Sequence, residues 1–438
     1  MIVLSILFFF SLITGGIFVW KYFYKSSFFL SQIIFLGAYS VTLFFFMLIK
    51  IPLTRVVVLF PIILLPLVLY KITSAPWKNL LPAKKLNIYS FILVALSVLI
   101  LFFGVTHIMK LPIHDRDGLG IWLTKAKMIT LDNTIFSENF LDPDRIHDHP
   151  RYPLLLPILE SAYFISSDID ETSVKTLFIY IWVLMLGVLY EFTNKKSLNA
   201  ALIAIIIFSL IPAYYTMSDG SLDTGYADIP LSLFYLGAII FLYNYLYLGE
   251  KKFLLGTGLC LAFAIFTKNE GGAFALSTFI IFFFIKRKKA DILTLALTIL
   301  LPVIAWLITV LHLPELYTEH YLSYVPAFFR HLHRVPVIIK ATFLEILNSK
   351  HWGIFWPLSI FIFIYSKPKK IDSYLLANIG ILFILYLGIF LITPWEVEFQ
   401  MKIVLPRMLL HIAPAIMFLA VHNYSSRKQL TNHLALDK

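Results

Sequence analysis

Residues 88–107 read IYSFILVALSVLILFFGVTH, twenty consecutive residues without Asp, Glu, Lys or Arg. An α-helix needs about 20 mostly apolar residues to cross a bilayer, so this stretch predicts a membrane-spanning helix. The whole chain has a similar composition, because 60% of its 438 residues are hydrophobic and only 14% are charged. A soluble protein of this length could not bury so many apolar side chains. The composition therefore excludes a soluble enzyme, a disordered chain and a collagen-like chain.

The same length criterion predicts further spans along the chain. The thirteen candidate spans are residues 2–20, 28–49, 55–70, 88–107, 173–192, 199–216, 229–247, 253–267, 271–285, 292–311, 351–366, 372–393 and 404–422. The single cysteine, Cys260, lies inside one of them and has no second cysteine with which to form a disulfide bond. The sequence thus predicts an all-α polytopic membrane protein with about 13 transmembrane helices.

The basic residues predict how this stack of helices is oriented. If the spans alternate, nineteen Lys and Arg residues fall in the connections on one side and five in the short connections opposite. Cytoplasmic loops carry an excess of Lys and Arg, so the basic side is expected to face the cytoplasm. We therefore expect a multi-pass protein of the bacterial plasma membrane with its chemistry on the outer face. The net charge of +11 is explained in the same way and does not indicate a nucleic acid partner.

Two long segments, 108–172 and 312–350, connect spans on the expected outer side. The first contains eleven of the 25 acidic residues of the chain. Long connections between elements are more often functional than idle. Within the first segment, 121–129 and 154–163 are apolar to amphipathic but too short to span, so we expect short interfacial helices there. The second segment combines cationic and aromatic residues in a similar pattern.

The strongest local pattern is the sequence HDRDG at 114–118, directly after the span at 88–107. In an extended chain, residues two apart point to the same side, so Asp115 and Asp117 would share one face at the membrane surface. Paired carboxylates there suit removal of a proton from an acceptor hydroxyl, or binding of a divalent cation. Each acid alone is better explained as a solvated loop residue. No other cofactor is indicated.

A tryptophan and a lysine follow the two acids. Trp122 and Lys125 would be neighbours on a helix, because they are three residues apart. Such a pair is typical of an anchor at the membrane interface. It also suits a phosphate-binding cation close to the acids, and both interpretations stay open at this point.

His149 and Tyr152 lie in the sequence DHPRYP at 148–153, in which the prolines restrict the residues before them. The chain also has two His-x-His pairs, at 147–149 and 331–333. A zinc site needs three or four ligands that are fixed in space, and these pairs supply too few. The sequence therefore predicts no metal site formed by these histidines.

Three later motifs place charge near the ends of spans. Asp228 precedes an apolar run that has Pro230 in its first turn, a pattern that predicts a helix N-cap. Lys268 and Glu270 interrupt an apolar run, either as a simple outer turn or as functional charges, because charge at membrane depth is costly. Arg407 lies inside the last span. Its planar, permanently charged guanidinium makes it the best candidate in the chain for binding a phosphate.

In their order along the chain, these motifs resemble those of the GT-C class of membrane glycosyltransferases. This class includes the dolichyl-phosphate-mannose protein mannosyltransferases of glycosyltransferase family 39 and the aminoarabinose transferases of bacteria. Its members show an acid after an early span, a Trp, a Lys-Ala pair, and then His-Pro-x-Tyr-Pro, Tyr-Ala-Asp-x-Pro and Lys-Asn-Glu-Gly. The matching residues here are Asp117, Trp122, Lys125, Ala126, 149–153, 226–230, 268–271 and, more weakly, Arg407.

The resemblance covers roughly residues 88–422 and implies a function. It implies an enzyme that moves a sugar from a polyprenyl-phosphate carrier to a hydroxyl of a lipid, glycan or protein acceptor, with inversion, on the outer face of the membrane. Asp117 would be the general base, with Asp115 beside it. The residues expected to bind the donor phosphate are Lys125, Lys268 and Arg407, and those expected to contact the substrates are Trp122, His149, Tyr152 and Glu270.

The resemblance also suggests a division of the chain. Residues 1–87 would form N-terminal transmembrane helices, because three predicted spans precede 88–107, whereas the acid of the class usually follows the first span. Residues 88–425 would form the GT-C-like catalytic region with both outer segments, and 426–438 a short cytoplasmic tail.

Two other functions fit parts of the sequence. A lipid-linked polysaccharide polymerase or ligase would use a lipid diphosphate and cations of a late loop, and Arg330 and Arg334 in 312–350 keep this alternative open. A lipid or solute transporter would have broken helices in two related halves, with polar residues at mid-membrane depth. Here the polar residues collect at one surface, which favours the transferase.

Overall fold

The computed structural model describes residues 2–22, 27–72, 87–142, 149–285, 288–313 and 321–436. Helices dominate these ranges, and no strand occurs in them. The prediction of an all-α polytopic membrane protein is therefore confirmed.

The described residues form twenty α-helices. Their bounds are α1 Ile2–Tyr22, α2 Phe28–Leu48, α3 Arg55–Val58, α4 Leu65–Ile72, α5 Ile88–Ile108, α6 Thr124–Asp132, α7 Glu138–Leu141, α8 Leu155–Ser166, α9 Lys175–Asn194, α10 Leu198–Ser209, α11 Ala213–Thr216, α12 Asp228–Leu248, α13 Lys251–Thr267, α14 Gly271–Ile285, α15 Lys289–Val310, α16 Val335–Ile346, α17 Ser349–Trp352, α18 Phe355–Ser366, α19 Lys370–Ile392 and α20 Val397–Leu436. Short 3₁₀ segments occur at Phe60–Leu64, Tyr321–Ala327 and Phe329–Arg334.

Nine helices in the described ranges are long and apolar enough to cross a membrane. They coincide with nine of the thirteen spans that the sequence predicts. The other four predictions fall on shorter helices, namely the broken α3–α4 segment, α13, α14 and α18. The charged sequence 268–270 separates α13 from α14, which explains why both helices are short. Membrane crossing by these four elements stays a prediction.

The centre of the bundle is α12, which packs against α9, α13, α19 and α20. In its most apolar stretch, 83% of the residues are buried inside the protein, against 22% for α5. A helix that is apolar on all sides and buried is a core helix, whereas an exposed apolar helix such as α5 presents its surface to lipid. The helices that meet at α12 therefore form the buried centre of the fold.

The first outer segment contains the short helices that the sequence predicts, but one of them is not at the surface. A π-helical turn, Gly118–Leu123, leads directly into α6, and α8 follows. Every residue of α8 except Ile165 is buried, because α8 packs against α1, α2 and α6. The short helix predicted at 154–163 is therefore present and packed inside the protein, and its position at the membrane interface stays a prediction.

Candidate active site

Asp228, the first residue of α12, lies at the centre of a buried cluster of cations. Its Oδ1 accepts hydrogen bonds from Lys268 Nζ at 3.0 Å and from His411 Nε2 at 2.7 Å. Its Oδ2 accepts a bond from Arg407 Nη2 at 3.1 Å, and Arg407 Nε lies 3.4 Å from Oδ1. The Asp228 side chain is fully buried. Buried charges are stable only when they are paired and hydrogen-bonded, and Asp228 meets both conditions.

This geometry corrects the predicted role of Asp228. The residue before the helix is Ala227, and no side chain caps the helix at that position. The Asp228 carboxylate is turned towards the cations of other helices instead of its own backbone. Pro230 in the first turn is consistent with a helix start, but the prediction of an N-cap was wrong.

The turn between α13 and α14 brings Lys268 to this carboxylate. The Lys268 N–H donates to the Ala264 carbonyl at 3.1 Å, and the Gly271 N–H donates to the Lys268 carbonyl at 2.9 Å. A Cβ at Gly271 would lie 2.2 Å from the Ala264 carbonyl carbon, so the close approach of the two helices requires glycine. The sequence KNEGG at 268–272 is therefore a turn, and its lysine points into the site.

Glu270 adds a second negative charge on the same turn. Lys268 Nζ lies 2.9 Å from Glu270 Oε1 as well as 3.0 Å from Asp228. Burial alone would raise the pKa of Glu270, but the Lys268 ammonium and the nearby His411 hold it below its ordinary value. Two carboxylates thus oppose two permanent cations, Lys268 and Arg407. The structure brings together Lys268 and Arg407, two predicted phosphate ligands that are far apart in the sequence.

Arg407 connects this buried layer to the acids above it. Its guanidinium carbon lies 4.7 Å from the centre of the Tyr226 ring, a cation–π contact. Two of its nitrogens bind Asp228, whereas Nη1 has no hydrogen-bond partner among the described residues. Its side chain is 14% exposed. A guanidinium nitrogen that has no protein partner can bind an anion.

Tyr226 joins Arg407 to the acids of the first outer segment. Its hydroxyl forms hydrogen bonds to Asp115 and, at 2.9 Å, to Asp219. Burial and the hydrogen bond to Asp115 raise the pKa of Tyr226, so it is neutral at physiological pH. Gly118 makes this arrangement fit, because a Cβ there would lie only 2.0 Å from the Thr224 carbonyl oxygen.

Asp117 lies beside these groups and is partly exposed. Burial raises the pKa of the Asp117 carboxyl above its ordinary value. The Arg407 guanidinium opposes that rise, whereas the Asp115 and Asp219 carboxylates add to it. A carboxylate with a raised pKa is a stronger base than a free aspartate, which suits it to accept a proton.

The local geometry of the two acids differs from the prediction. Asp117 is helical, with φ −73° and ψ −35°, and the Asp115 carbonyl accepts a hydrogen bond from Leu119 N at 2.9 Å. The pair is therefore not extended, and alternation along a strand does not bring them together. Instead, the Asp117 N–H donates to Asp115 Oδ1 at 3.3 Å in the first turn of a helix.

Lys175 fixes the segment that carries the acids, a role that the sequence did not suggest. It is the first residue of α9, and its buried Nζ donates to the carbonyls of Ile108 and Leu111. The Ile113 N–H donates to the Glu171 carbonyl at 3.3 Å. The end of α5 is thus attached to the start of α9 just before the acids.

Lys125 occupies a different place from the other predicted phosphate ligands. It is fully buried, and its Nζ donates to the carbonyls of His149 at 2.6 Å and Tyr152 at 3.4 Å. Its ammonium also lies 5.9 Å from the centre of the Trp122 ring. These contacts give Lys125 the role of holding the 149–152 loop, and they do not support phosphate binding by this residue.

The predicted substrate-contacting aromatics form one group next to Asp117. The His149 and Tyr152 rings stack with their centres 4.5 Å apart, and Tyr152 lies 5.9 Å from Trp122. Trp122 is fully buried, whereas His149 and Tyr152 are half-buried. The His149 imidazole is close enough to Asp117 to lower the pKa of that carboxyl. The preceding residues 143–148, which include His147, lie outside the described residues.

Among the described residues of the second outer segment, Arg334 and His331 make their contacts elsewhere than in this cluster. Arg334 Nη1 donates to the carbonyls of Thr393 at 2.8 Å and Phe390 at 3.3 Å, at the C-terminal end of α19. His331 Nδ1 contacts the Leu391 carbonyl at 3.1 Å. In the described part of the chain, no group of three or more His, Cys, Asp or Glu side chains could hold a metal ion.

A comparison with known families bears on this site. Residues 148–310 match the model of the dolichyl-phosphate-mannose-protein mannosyltransferase family. This match confirms the resemblance to GT-C class membrane glycosyltransferases. The matched segment includes Tyr226, Asp228 and Lys268, whereas Asp117 and Arg407 lie outside it. No curated protein and no solved structure shows a match to the chain.

The match over residues 148–310 and the fold together support a coarse function. They indicate a multi-pass membrane glycosyltransferase that uses a polyprenyl-phosphate sugar as donor. The candidate site is a layered cluster in which half-exposed acids lie above Tyr226 and Arg407, and the buried Asp228, Lys268 and His411 lie below.

Proposed function

We propose that the protein transfers a sugar from a polyprenyl-phosphate carrier to an acceptor hydroxyl, with inversion, on the outer face of the membrane. The observation that carries this proposal is the proximity of a basic carboxylate and an accessible guanidinium. Asp117 lies close enough to Arg407 for the guanidinium to lower the pKa of the Asp117 carboxyl. A reaction that removes a proton at one atom and releases a phosphate at another needs this combination.

Asp117 is proposed as the general base. It takes the proton of the acceptor hydroxyl while the hydroxyl oxygen attacks the anomeric carbon and the bond to the phosphate oxygen breaks. The attack comes from the side opposite the phosphate, so the configuration is inverted. Asp115 is engaged with the Tyr226 hydroxyl and the Asp117 N–H, which suits it to orient Asp117.

Arg407 and Lys268 are proposed to bind the phosphate. The donor phosphodiester has one negative charge, and the released lipid phosphate has a second one. Cations that are fixed in advance stabilise this developing charge, which is usually a large term in group transfer. Asp228 holds both cations in place, and Nη1 of Arg407 offers a donor to the phosphate oxygens.

The remaining predicted contacts are proposed to bind the sugar and the acceptor. The stacked pair His149 and Tyr152 lies beside Asp117, and partly exposed Glu270 lies beside Lys268. Aromatic faces pack against the apolar faces of sugar rings, and carboxylates accept hydrogen bonds from sugar hydroxyls. Trp122 supports the pair from below. We propose that residues 88–425 form this catalytic region and that 1–87 are an addition to it.

The outer-face orientation is proposed from charge. The cluster lies at the start of α12 and the end of α13. The basic residues Lys195, Lys196, Lys251 and Lys252 lie at the other ends of these helices or of their neighbours α9 and α10. Basic ends face the cytoplasm, so the site faces outwards.

The experiment that tests the chemistry compares two substitutions of nearly unchanged shape, Asp117→Asn and Asp115→Asn. A general base contributes about 10²–10⁴-fold to a rate, so Asp117→Asn is expected to lose turnover by that factor. Asp115→Asn is expected to lose less, because Asp115 only orients its neighbour. Turnover is measured with purified protein and a panel of polyprenyl-phosphate sugars. Full activity of Asp117→Asn on a donor that wild type uses would contradict the proposal.

A further inference from the structure

Two buried residues below the cluster have no part in the proposed chemistry. His411 Nε2 lies 2.7 Å from Asp228 Oδ1, and the Tyr386 hydroxyl lies 3.0 Å from His411 Nδ1. Both side chains are almost completely inaccessible. Asp228, Tyr386 and His411 come from three different helices, α12, α19 and α20. The contacts form a chain from Tyr386 through His411 to the carboxylate that holds both phosphate-binding cations.

The partners define which nitrogen of His411 has a hydrogen. The Asp228 carboxylate can only accept, so Nε2 must be the donor in this contact. In the neutral imidazole Nδ1 is then an acceptor, and the Tyr386 hydroxyl is its donor. Phe274 of α14 packs edge-on against the ring of His411, with the centres 6.1 Å apart. The ring thus has one orientation, and its N–H points at one oxygen of Asp228.

We propose that Tyr386 and His411 are positioning residues for the donor phosphate and act through Asp228. This inference rests on the proposed function of Arg407 and Lys268. Oδ1 of Asp228 receives both the Lys268 and the His411 donors, which leaves Oδ2 to Arg407 Nη2. Without the imidazole N–H, the carboxylate can rotate about its terminal torsion. The guanidinium would then lose the orientation that presents Nη1 to the phosphate.

A purely structural role for the pair would have a different signature, and the chain offers matched controls. Elsewhere on the same three helices, the Tyr243 hydroxyl lies 3.0 Å from His422 Nε2, and His422 Nδ1 lies 3.2 Å from Asp372 Oδ1. This second group has the same residue types but does not contact Arg407 or Lys268. Its substitution tests the cost of changing a buried Tyr–His–Asp group without touching the proposed phosphate site, with the difference that His422 Nδ1 and Asp372 Oδ1 are not hydrogen-bonded to each other.

The experiment measures binding of a short-chain polyprenyl phosphate to the purified full-length protein. A hydrogen bond to a charged group is worth enough to predict a loss of affinity of about 10- to 100-fold for His411→Ala. His411→Gln should regain most of this, because the glutamine amide can place an N–H near the position of Nε2. Tyr386→Phe should weaken binding less than His411→Ala does. The controls His422→Gln and Tyr243→Phe should stay within about twofold of wild type.

The outcomes separate the inference from the function on which it rests. If wild type does not bind polyprenyl phosphate, the proposed function fails and the inference fails with it. If wild type binds polyprenyl phosphate and both His411→Gln and His411→Ala bind it as tightly as wild type does, the positioning role is overturned. Equal losses in the His411 and His422 variants would overturn it too, because they would show a general packing effect. If His411→Ala does not fold, Tyr386→Phe against Tyr243→Phe decides, and equal affinities overturn the inference.

Discussion

Asp228→Asn removes one negative charge from the centre of the cluster while it keeps the size of the side chain. In all its hydrogen bonds this carboxylate is the acceptor. The donors are Lys268 Nζ, two nitrogens of Arg407 and His411 Nε2. An amide has only one acceptor oxygen, so its NH₂ group must face at least one of these donors. In the variant, the amide NH₂ therefore faces another hydrogen-bond donor. Among the contacts described above, Glu270 is then the only counter-ion of the two cations Lys268 and Arg407.

The magnitude follows from burial. The side chains of Asp228 and Lys268 are 0% and 5% exposed, so solvent does little to screen the change. Removing one partner of a buried ion pair typically costs about 3–5 kcal/mol, because the other charge stays buried without compensation. We expect a loss of unfolding free energy in this range. Asp372 supplies the matched control, since it is a buried acid in the first turn of α19 that lies 3.2 Å from a single histidine.

The assay is unfolding in denaturant of wild type, Asp228→Asn and Asp372→Asn in the same detergent. Asp228→Asn should be the least stable of the three. Asp372→Asn should lie between it and wild type, because it has no guanidinium bound to it. If Asp228→Asn lies within about 1 kcal/mol of wild type, the carboxylate does not hold the two cations and the description of the site is wrong.

Three further predictions concern the cations, the acids and the orientation. Arg407→Lys keeps the charge but loses the planar donor set, so affinity for polyprenyl phosphate should fall about tenfold. The control Arg334→Lys should leave this affinity unchanged. Equal effects of the two substitutions would remove Arg407 from the site. Asp117 must be ionised to act as a base, so turnover should fall as the pH drops through its raised pKa. Asp219→Asn removes a neighbouring negative charge, which lowers that pKa and should shift the acidic limb of the pH–rate profile to lower pH; an unshifted limb would contradict the assignment. A cysteine at Leu131, which is 71% exposed in α6, should react with an impermeant thiol reagent in intact cells, and labelling only after lysis would reverse the orientation.

The sequence was sufficient to predict the helices because the information about each helix is local. Each long span, such as α5, is a continuous apolar run whose length matches a bilayer. The ends of α13 and α14 at the turn were also predicted, but the packing that allows the turn, Gly271 against Ala264 of the preceding helix, was not. Such a fit is a property of two packed helices, and a hydropathy pattern does not contain it.

The site was predictable only in part, because contacts between residues that are far apart in the chain cannot be read from a local pattern. Asp117, Lys268 and Arg407 stand out because charge is rare near apolar runs. Asp228 was misinterpreted because an acid before a helix is usually a cap, and its cationic partners are 40 and 179 positions away in the chain. The contacts of the Lys125 ammonium with the carbonyls of His149 and Tyr152 were not visible in the sequence, and phosphate binding by Lys125 stays a prediction.

The central claim is that this cluster transfers a sugar from a lipid phosphate, and one measurement tests it most directly. Purified wild type and Asp117→Asn are incubated with polyprenyl phosphates whose sugar is radiolabelled, together with membrane extract as the source of acceptor. The account predicts that wild type moves label from the lipid-phosphate fraction to another product and releases polyprenyl phosphate. Asp117→Asn should bind the donor but leave the label on it. Label that stays on every donor in the presence of wild type, or that moves equally fast with Asp117→Asn, would contradict the account.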